Sequence, residues 1–276
     1  MITIQVLQVP SVIPEVYWDV FLASVSEERR AQASRFIHQA DAYRSVLGEV
    51  LTRVTLSELT GIGADKLSFS RNIYGKPCLA QYPDRPFNVS HSGDWVALIS
   101  GGTDELGVDV EKISPIDLQI AERFFSPQEN TYLATQPVDQ QLNTFYRLWT
   151  LKESYIKAIG MGLSMPLSAF AILPIMQEQG LECGLIWRCR QDDYKIQLKQ
   201  EDQQARDLHD SKSPKKPNVD DVKHPNALNN QLTHHHFYSQ SLDSQHMLAA
   251  CSAGDELPSE PQTVTLEQLY NDLINR

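Results

Sequence analysis

Apolar and polar residues alternate over Ile2-Thr3-Ile4-Gln5-Val6, and this period of two predicts a first strand. Ser26 ahead of Glu27-Glu28 marks a helix start, with acidic side chains suited to the first turn. A second helix is expected from Asp41: Tyr43, Val46, Leu47, Val50, Leu51 and Val54 recur at helical spacing over Ala42–Leu59, and Gly61 is the stop. Turn residues then surround Asn72, Gly75 and Pro77. Phe87 to Ile99 reads as strand, turn and strand about Gly93-Asp94, and Gly107 to Glu111 as a third strand. Ser126-Pro127-Gln128-Glu129 combines a serine cap, a proline in the first turn and the glutamate of a capping box. A long helix over Gln141–Ile159 follows, closed by Gly160. Short strands are expected at Ala169–Leu173, Leu185–Cys189 and Met247–Cys251, and a last helix over Leu266–Ile274.

The pattern fails from about Gln197 to His236, where no aromatic residue occurs between Tyr194 and Phe237. So polar a stretch cannot bury enough apolar surface to offset its ordering entropy, so a disordered insertion is expected at 197–236. Tyr194–Ile196 and Phe237–Ser239 would pair as the hairpin that carries it. With 276 residues, 41% of them hydrophobic, the chain can form one large domain or two small ones. A formal charge of −11 argues against a nucleic-acid partner. No apolar run approaches the roughly 20 residues of a membrane span, so no membrane partner is expected. The chain opens on a strand pattern rather than a charged-then-apolar leader. Four cysteines without CxxC spacing favour reduced thiols and a cytoplasmic location.

Two segments about forty residues apart carry the candidate chemistry. Gly107-Val108-Asp109-Val110-Glu111 sends both carboxylates to one face of a strand. In Trp149-Thr150-Leu151-Lys152-Glu153-Ser154-Tyr155-Ile156-Lys157, helical spacing stacks Trp149, Glu153 and Lys157 on one side. Three carboxylates converging beside a lysine suit a hard divalent cation such as Mg²⁺ bridging to phosphate oxygens. Taken singly, acid–x–acid on a strand is ordinarily a solvated sheet face, and a Glu–Lys helical pair is surface decoration.

Upstream lie Tyr74-Gly75-Lys76-Pro77 and Phe87-Asn88-Val89-Ser90-His91-Ser92. The order YGKP, FNVSHS, GVDVE, WTLKESYIKAIGMGL resembles that of the 4′-phosphopantetheinyl transferases, in particular the longer, two-lobed Sfp type that activates nonribosomal peptide and polyketide synthases. The resemblance runs from about Phe36 to Leu163. It implies an α/β (α+β) fold of two similar lobes with pseudo-twofold symmetry, each a small, mostly antiparallel sheet packed on a long helix. An N-terminal lobe at 1–105 would bind coenzyme A, and a C-terminal lobe at 106–276 would carry the Mg²⁺ and catalytic residues. The implied reaction moves the phosphopantetheine arm of coenzyme A to a serine of an acyl or peptidyl carrier protein, releasing adenosine 3′,5′-bisphosphate. A monomer is implied, because the short form of the family makes its site between subunits.

By the same resemblance Asp109, Glu111 and Glu153 are the Mg²⁺ ligands. Glu153 is the general base, directly or, preferably, through a metal-bound water, because a metal-bound carboxylate has a low pKa. Lys157 stabilises charge on the diphosphate, Ser90 and His91 meet phosphate groups, and His91 joins Glu153 and Lys157 as a catalytic residue. Tyr74, Gly75, Lys76 and Pro77 flank the adenine, Arg29 and Arg44 answer phosphate, and Ser45 offers a hydroxyl. Gln32 stands where a second lysine is common, with Arg30 as a possible substitute. Ser92 reads equally as a turn or capping residue, and Phe124–Leu133 as core or as the border of a carrier-docking surface. His234-His235-His236, with His224 and His246, form a weak metal pattern in a polar stretch. Two other readings are a non-catalytic coenzyme A or carrier-protein binding module, against which the full Asp109/Glu111/Glu153/Lys157 set counts, and a nucleotide-diphosphate hydrolase, whose helix of glutamates is missing.

Overall fold

The alternating apolar residues of the first strand divide between two cores, and this division organises the molecule. The computed structural model describes residues 1–103, 105–175, 186–190 and 235–275. In β1 (Ile2–Gln8), Ile2, Ile4 and Val6 enter a core between two sheets, whereas Leu7 faces the helices. Next come α1 (Glu15–Ser24), α2 (Glu27–Ala33), α3 (Gln39–Thr60), the hairpin β2 (Phe69–Arg71) and β3 (Pro77–Leu79), then β4 (Phe87–Ser92) and β5 (Trp95–Gly101). Strand β5 is buried on both faces: Trp95, Ala97 and Ile99 fill the inter-sheet core, and Val96 and Leu98 pack under α3.

The second lobe begins with β6 (Leu106–Lys112), followed by α4 (Ala121–Phe124), α5 (Pro127–Ala134) and α6 (Val138–Ile159). Strands β7 (Ala171–Ile175) and β8 (Ile186–Arg190) pair antiparallel; β9 (His235–Asp243) and β10 (His246–Ala253) form a hairpin whose β10 pairs with β6. Met247, Ala249 and Cys251 of β10 face α6, while Leu248 and Ala250 face the inter-sheet core. Finally β11 (Gln262–Val264) and α7 (Leu266–Ile274) return to the first lobe, β11 running parallel to β1. The two larger sheets are β11-β1-β5-β4 and β6-β10-β9, so the main layers run helix, sheet, sheet, helix. Each lobe thus sets a 22-residue helix, α3 or α6, against a mostly antiparallel sheet, as the resemblance implies.

Several signals resolve as expected. Ser26 caps α2, Gly61 and Gly160 end α3 and α6 with φ of 72° and 73°, and the Ser126–Glu129 capping box is complete. Others shift. Helix α3 begins at Gln39 and uses no side-chain cap, so Asp41 lies within its first turn, bonded to Arg44. Helix α6 begins at Val138, directly after Pro137, whose fixed φ suits a helix entry. Strand β7 starts only at Ala171, because Leu167–Ala169 forms a 3₁₀ turn. Helix α1 lacks a capping side chain and buries only Phe21, which explains its faint pattern. The expected insertion at 197–236 and the strand at Tyr194–Ile196 lie outside the described residues, except that His235 and His236 already belong to β9.

Candidate active site

Strands β4 and β6 are edges of their two sheets, and edge N–H groups need partners. Side chains supply them here. The Val108 N–H donates to Asn88 Oδ1 (3.0 Å), that of Val110 to Ser90 Oγ (3.4 Å) and that of Lys112 to Ser92 Oγ (3.1 Å). The alternate residues of Asn88-Val89-Ser90-His91-Ser92 thus form an acceptor ladder joining the lobes, while Val89 and His91 turn toward Gly48 of α3. Both serines then donate onward, Ser90 to Asp109 Oδ1 (3.0 Å) and Ser92 to Glu111 Oε2 (2.9 Å). Ser92, which the sequence leaves as a turn residue, therefore orients a carboxylate.

Leu106, Val108 and Val110 face the inter-sheet core, so period two sends Asp109 and Glu111 toward α6. From α6, Lys157 donates to Asp109 Oδ1 (2.6 Å) and to Ser90 Oγ (3.0 Å). Burial raises the pKa of Asp109 despite the Lys157 ammonium beside it. Glu111 is raised by burial and then by the charge of Asp109, partly offset by hydroxyl and indole donors on Ser92 and Trp149. Glu153 is raised by burial and by both acids. The three acids therefore share one field, and each is held above its ordinary value. Such a trio suits a hard cation, and Asp109 Oδ2, buried without a hydrogen-bond partner, offers it a ready oxygen. As they stand, no three such side chains among the described residues form a metal-binding group, and the Lys157 ammonium already sits on Asp109.

Ser90, His91 and Lys157 also line a cavity of about 1030 Å³, walled by α2, α3, β2 and β4. Arg29, Arg35, Arg53 and Arg71 line it, so the wall is cationic in a chain that is acidic overall. Glu49 arranges two of these arginines, accepting from Arg29 Nε (3.1 Å) and Arg53 Nε (2.8 Å) as well as from the Ser26 N–H (2.7 Å). Burial would raise its pKa, but these donors outweigh that and lower it. Arg29 Nη1 donates to Ser45 Oγ and to Gln32 Oε1, each at 3.0 Å, so Gln32 supports Arg29 where a second cation was expected. His91 sits at the exposed rim; its closely packed surroundings, then the charges of Arg44, Lys157 and Arg29, lower its pKa.

Of the Tyr74–Pro77 loop, Pro77 alone lines this cavity. Lys76 turns away, its ammonium donating to the carbonyls of Leu106 (3.0 Å) and Ala158 (2.8 Å), and burial lowers its pKa. Gly75, at φ 91°, makes the turn. The side chain of Tyr74 is exposed, and Arg44 is committed to Asp41 and to the Gly93 carbonyl (2.5 Å). Lys152, inside the WTLKES segment, lies apart from the acids, fully buried against Glu129 at 2.6 Å. The acceptor ladder, Glu49 and Arg53 were missed by sequence reasoning; the Glu49–Arg53 pair at helical spacing among buried neighbours was the available sign. His246, read as part of a weak metal pattern, is buried and bonded to Asp243.

Lys157 thus connects the three carboxylates to an arginine-lined cavity, an arrangement whose charges suit a phosphate-bearing ligand. Comparison with known proteins narrows the class. The family model for the 4′-phosphopantetheinyl transferase superfamily matches residues 105–211, and that for the 4′-phosphopantetheinyl transferase N-terminal region matches 14–103. Two 4′-phosphopantetheinyl transferases of Bacillus subtilis, ffp and Sfp, are 46% and 43% identical over 154 and 152 residues, which is 56% and 55% of this chain and 68% and 67% of theirs. An L-aminoadipate-semialdehyde dehydrogenase-phosphopantetheinyl transferase of Pongo abelii is 27% identical over 276 residues, 94% of this chain and 80% of that one. The chain belongs to the 4′-phosphopantetheinyl transferase family.

Proposed function

We propose that the chain transfers the phosphopantetheine arm of coenzyme A to a serine hydroxyl of an apo acyl or peptidyl carrier protein, releasing adenosine 3′,5′-bisphosphate. The observation that carries this is Lys157, whose ammonium touches both Asp109 and Ser90 where the acidic trio meets the cationic cavity. Residues 1–105 would supply most of the coenzyme A cavity, and 106–276 the acids and Lys157. Arg29, Ser45, Pro77, Ser90 and His91 line the cavity and would bear on the co-substrate; Arg44, Tyr74, Gly75 and Lys76 would act from behind or beside it. Asp109, Glu111 and Glu153 would hold Mg²⁺, which when bound supplies charge neutralisation at the diphosphate.

The acceptor hydroxyl attacks the phosphorus nearer the pantetheine, and the bond to the second phosphate breaks. Glu153 would take the hydroxyl proton through a water, because a carboxylate that also holds the cation is a weak direct base. Lys157 sits within reach of the charge that develops on the diphosphate. His91, at the exposed rim of the cavity, would meet the diphosphate by a hydrogen bond. All these groups come from one chain, which supports a monomer, and the cytoplasm is where such a reaction would meet its substrates. The test is intact-mass measurement of an apo carrier protein incubated with the protein, coenzyme A and Mg²⁺. The expected result is a gain of one phosphopantetheine, lost with EDTA and in Glu153→Gln. Coenzyme A binding without any gain across several carriers would overturn the proposal.

A further inference from the structure

The turn between β4 and β5 reaches across the lobe boundary and lands on one buried histidine. His246, only 1% exposed, opens β10 and pairs in register with Lys112. Its Nε2 accepts from the Asp94 N–H at 3.3 Å, and its Nδ1 lies 2.9 and 3.0 Å from the two oxygens of Asp243. Because Nε2 accepts, Nδ1 carries the proton, and Asp243 selects that tautomer. Asp243 is itself held: the Trp95 indole donates to Oδ2 (2.8 Å) and the Gln245 N–H to Oδ1 (2.7 Å). Burial would raise its pKa, yet these donors and His246 bring it down to about 2, so it stays a firm acceptor.

The fit at the turn is close. A Cβ on Gly93 would lie 2.1 Å from His246 Nε2 and 2.9 Å from Lys112 Cδ, and its φ of 53° favours glycine in any case. The neighbouring residue, Ser92, accepts from the Lys112 N–H and donates to Glu111. On the other side of the turn, Arg44 donates to the Gly93 carbonyl. The turn is thus clamped from both lobes, and Ser92 stands one residue from the clamp.

We infer that His246 is a positioning residue: its Nε2–Asp94 bond sets the β4–β5 turn, and through Ser92 the carboxylate of Glu111. The histidine touches neither the cavity nor the acids. It acts across the lobes, with Trp95 and Asp243 fixing its ring. This rests on the reading of Asp109, Glu111 and Glu153 as the acidic centre.

The two ring nitrogens can be tested separately. In His246→Gln the amide oxygen can replace Nε2 as acceptor for Asp94; in His246→Asn the shorter amide replaces Nδ1 and leaves Asp94 unpaired. Carrier-protein phosphopantetheinylation should show kcat down about tenfold in His246→Asn, with KM and Kd for coenzyme A unchanged, and largely restored in His246→Gln. Asp243→Asn, which releases the tautomer, should lower kcat in the wild-type background and have little effect in a chain already carrying His246→Gln. A kcat within twofold of wild type in His246→Asn, or equal losses in the Asn and Gln variants, would overturn the inference. If His246→Asn does not fold, the Asp243→Asn comparison decides alone, and equal effects in both backgrounds would overturn it. Asp109→Asn serves as control: if it stays active, the reading of the acidic centre fails; if it is inactive while His246→Asn is not, only the clamp fails.

Discussion

Replacing Gly107 with alanine should disable the acidic centre without touching any group in it. Gly107 is where α6 crosses β6: a Cβ there would lie 1.9 Å from the Ser154 carbonyl oxygen and 2.5 Å from the Ala158 nitrogen. Both are backbone atoms of a buried helix, so neither can rotate aside. To bring the nearer contact from 1.9 Å to a tolerable 3.0 Å, strand and helix must part by on the order of 1 Å. Overpacking of this kind costs ~1–3 kcal/mol of stability. The effect on chemistry should be larger. The same parting lengthens the 2.6 Å Lys157–Asp109 bond and strains the Lys76 ammonium, which spans Leu106 of β6 and Ala158 of α6. A displacement of that size at a reacting centre is worth about 100-fold in rate. The assay is the kcat of carrier-protein modification beside urea unfolding of the same sample, with Gly107→Ser as a second overpacked variant. A folded Gly107→Ala protein whose kcat lies within threefold of wild type would refute the argument that this crossing sets the centre.

Other consequences follow from the buried charges. Lys152→Met strands Glu129, which also receives the Ser126 and Ile172 N–H groups, and should destabilise by about 3–5 kcal/mol in denaturant unfolding; a loss below about 1 kcal/mol would contradict the pairing. Asp109 has a raised folded pKa, so its ionised form weighs against the fold as pH rises above its ordinary 3.8. Asp109→Asn should therefore keep or raise the melting temperature at pH 8 while abolishing transfer, and a marked drop in melting temperature would count against that sign. Mg²⁺ alone should raise the wild-type melting temperature, by the equivalent of about 2.7 kcal/mol at a hundredfold excess over its Kd, and should do so far less in Asp109→Asn. Asp243, lowered to about 2, stabilises fully above its ordinary 3.8 and loses that contribution as pH falls through its folded value. Scanning from pH 5 to 2 should shrink the difference in melting temperature between wild type and Asp243→Asn; a constant difference would place the effect in packing instead.

What the sequence could reveal of this site depended on whether regular geometry or tertiary contact placed each group. Asp109, Glu111, Glu153 and Lys157 were legible because a strand of period two and a helix of period 3.6 put them on single faces, and these faces meet. Period also identified both 22-residue helices, whose Gly61 and Gly160 stops are local features. Ser92 was not legible, because a serine after a strand has the same local signature whether it caps a turn or reaches Glu111 on another sheet. His246 is a stronger case: its partner Asp94 is 152 residues away, and nothing in a polar stretch containing other histidines sets it apart. Lys76 shows the limit of motif reasoning. A lysine in a glycine–proline loop was assigned to a ligand, yet α6 ends beside it with carbonyls that lack helical partners, and Ala158 takes the ammonium. Gly160 reinforces this, since a Cβ there would meet Lys76 Cδ at 2.9 Å and Asn72 Nδ2 at 3.2 Å, and Asn72 donates to the Gly160 carbonyl. The loop is thereby tied to the end of the helix that bears Glu153 and Lys157. Lys76 thereby holds α6 against β6 at Leu106, one residue from the Gly107 crossing, and does not line the cavity.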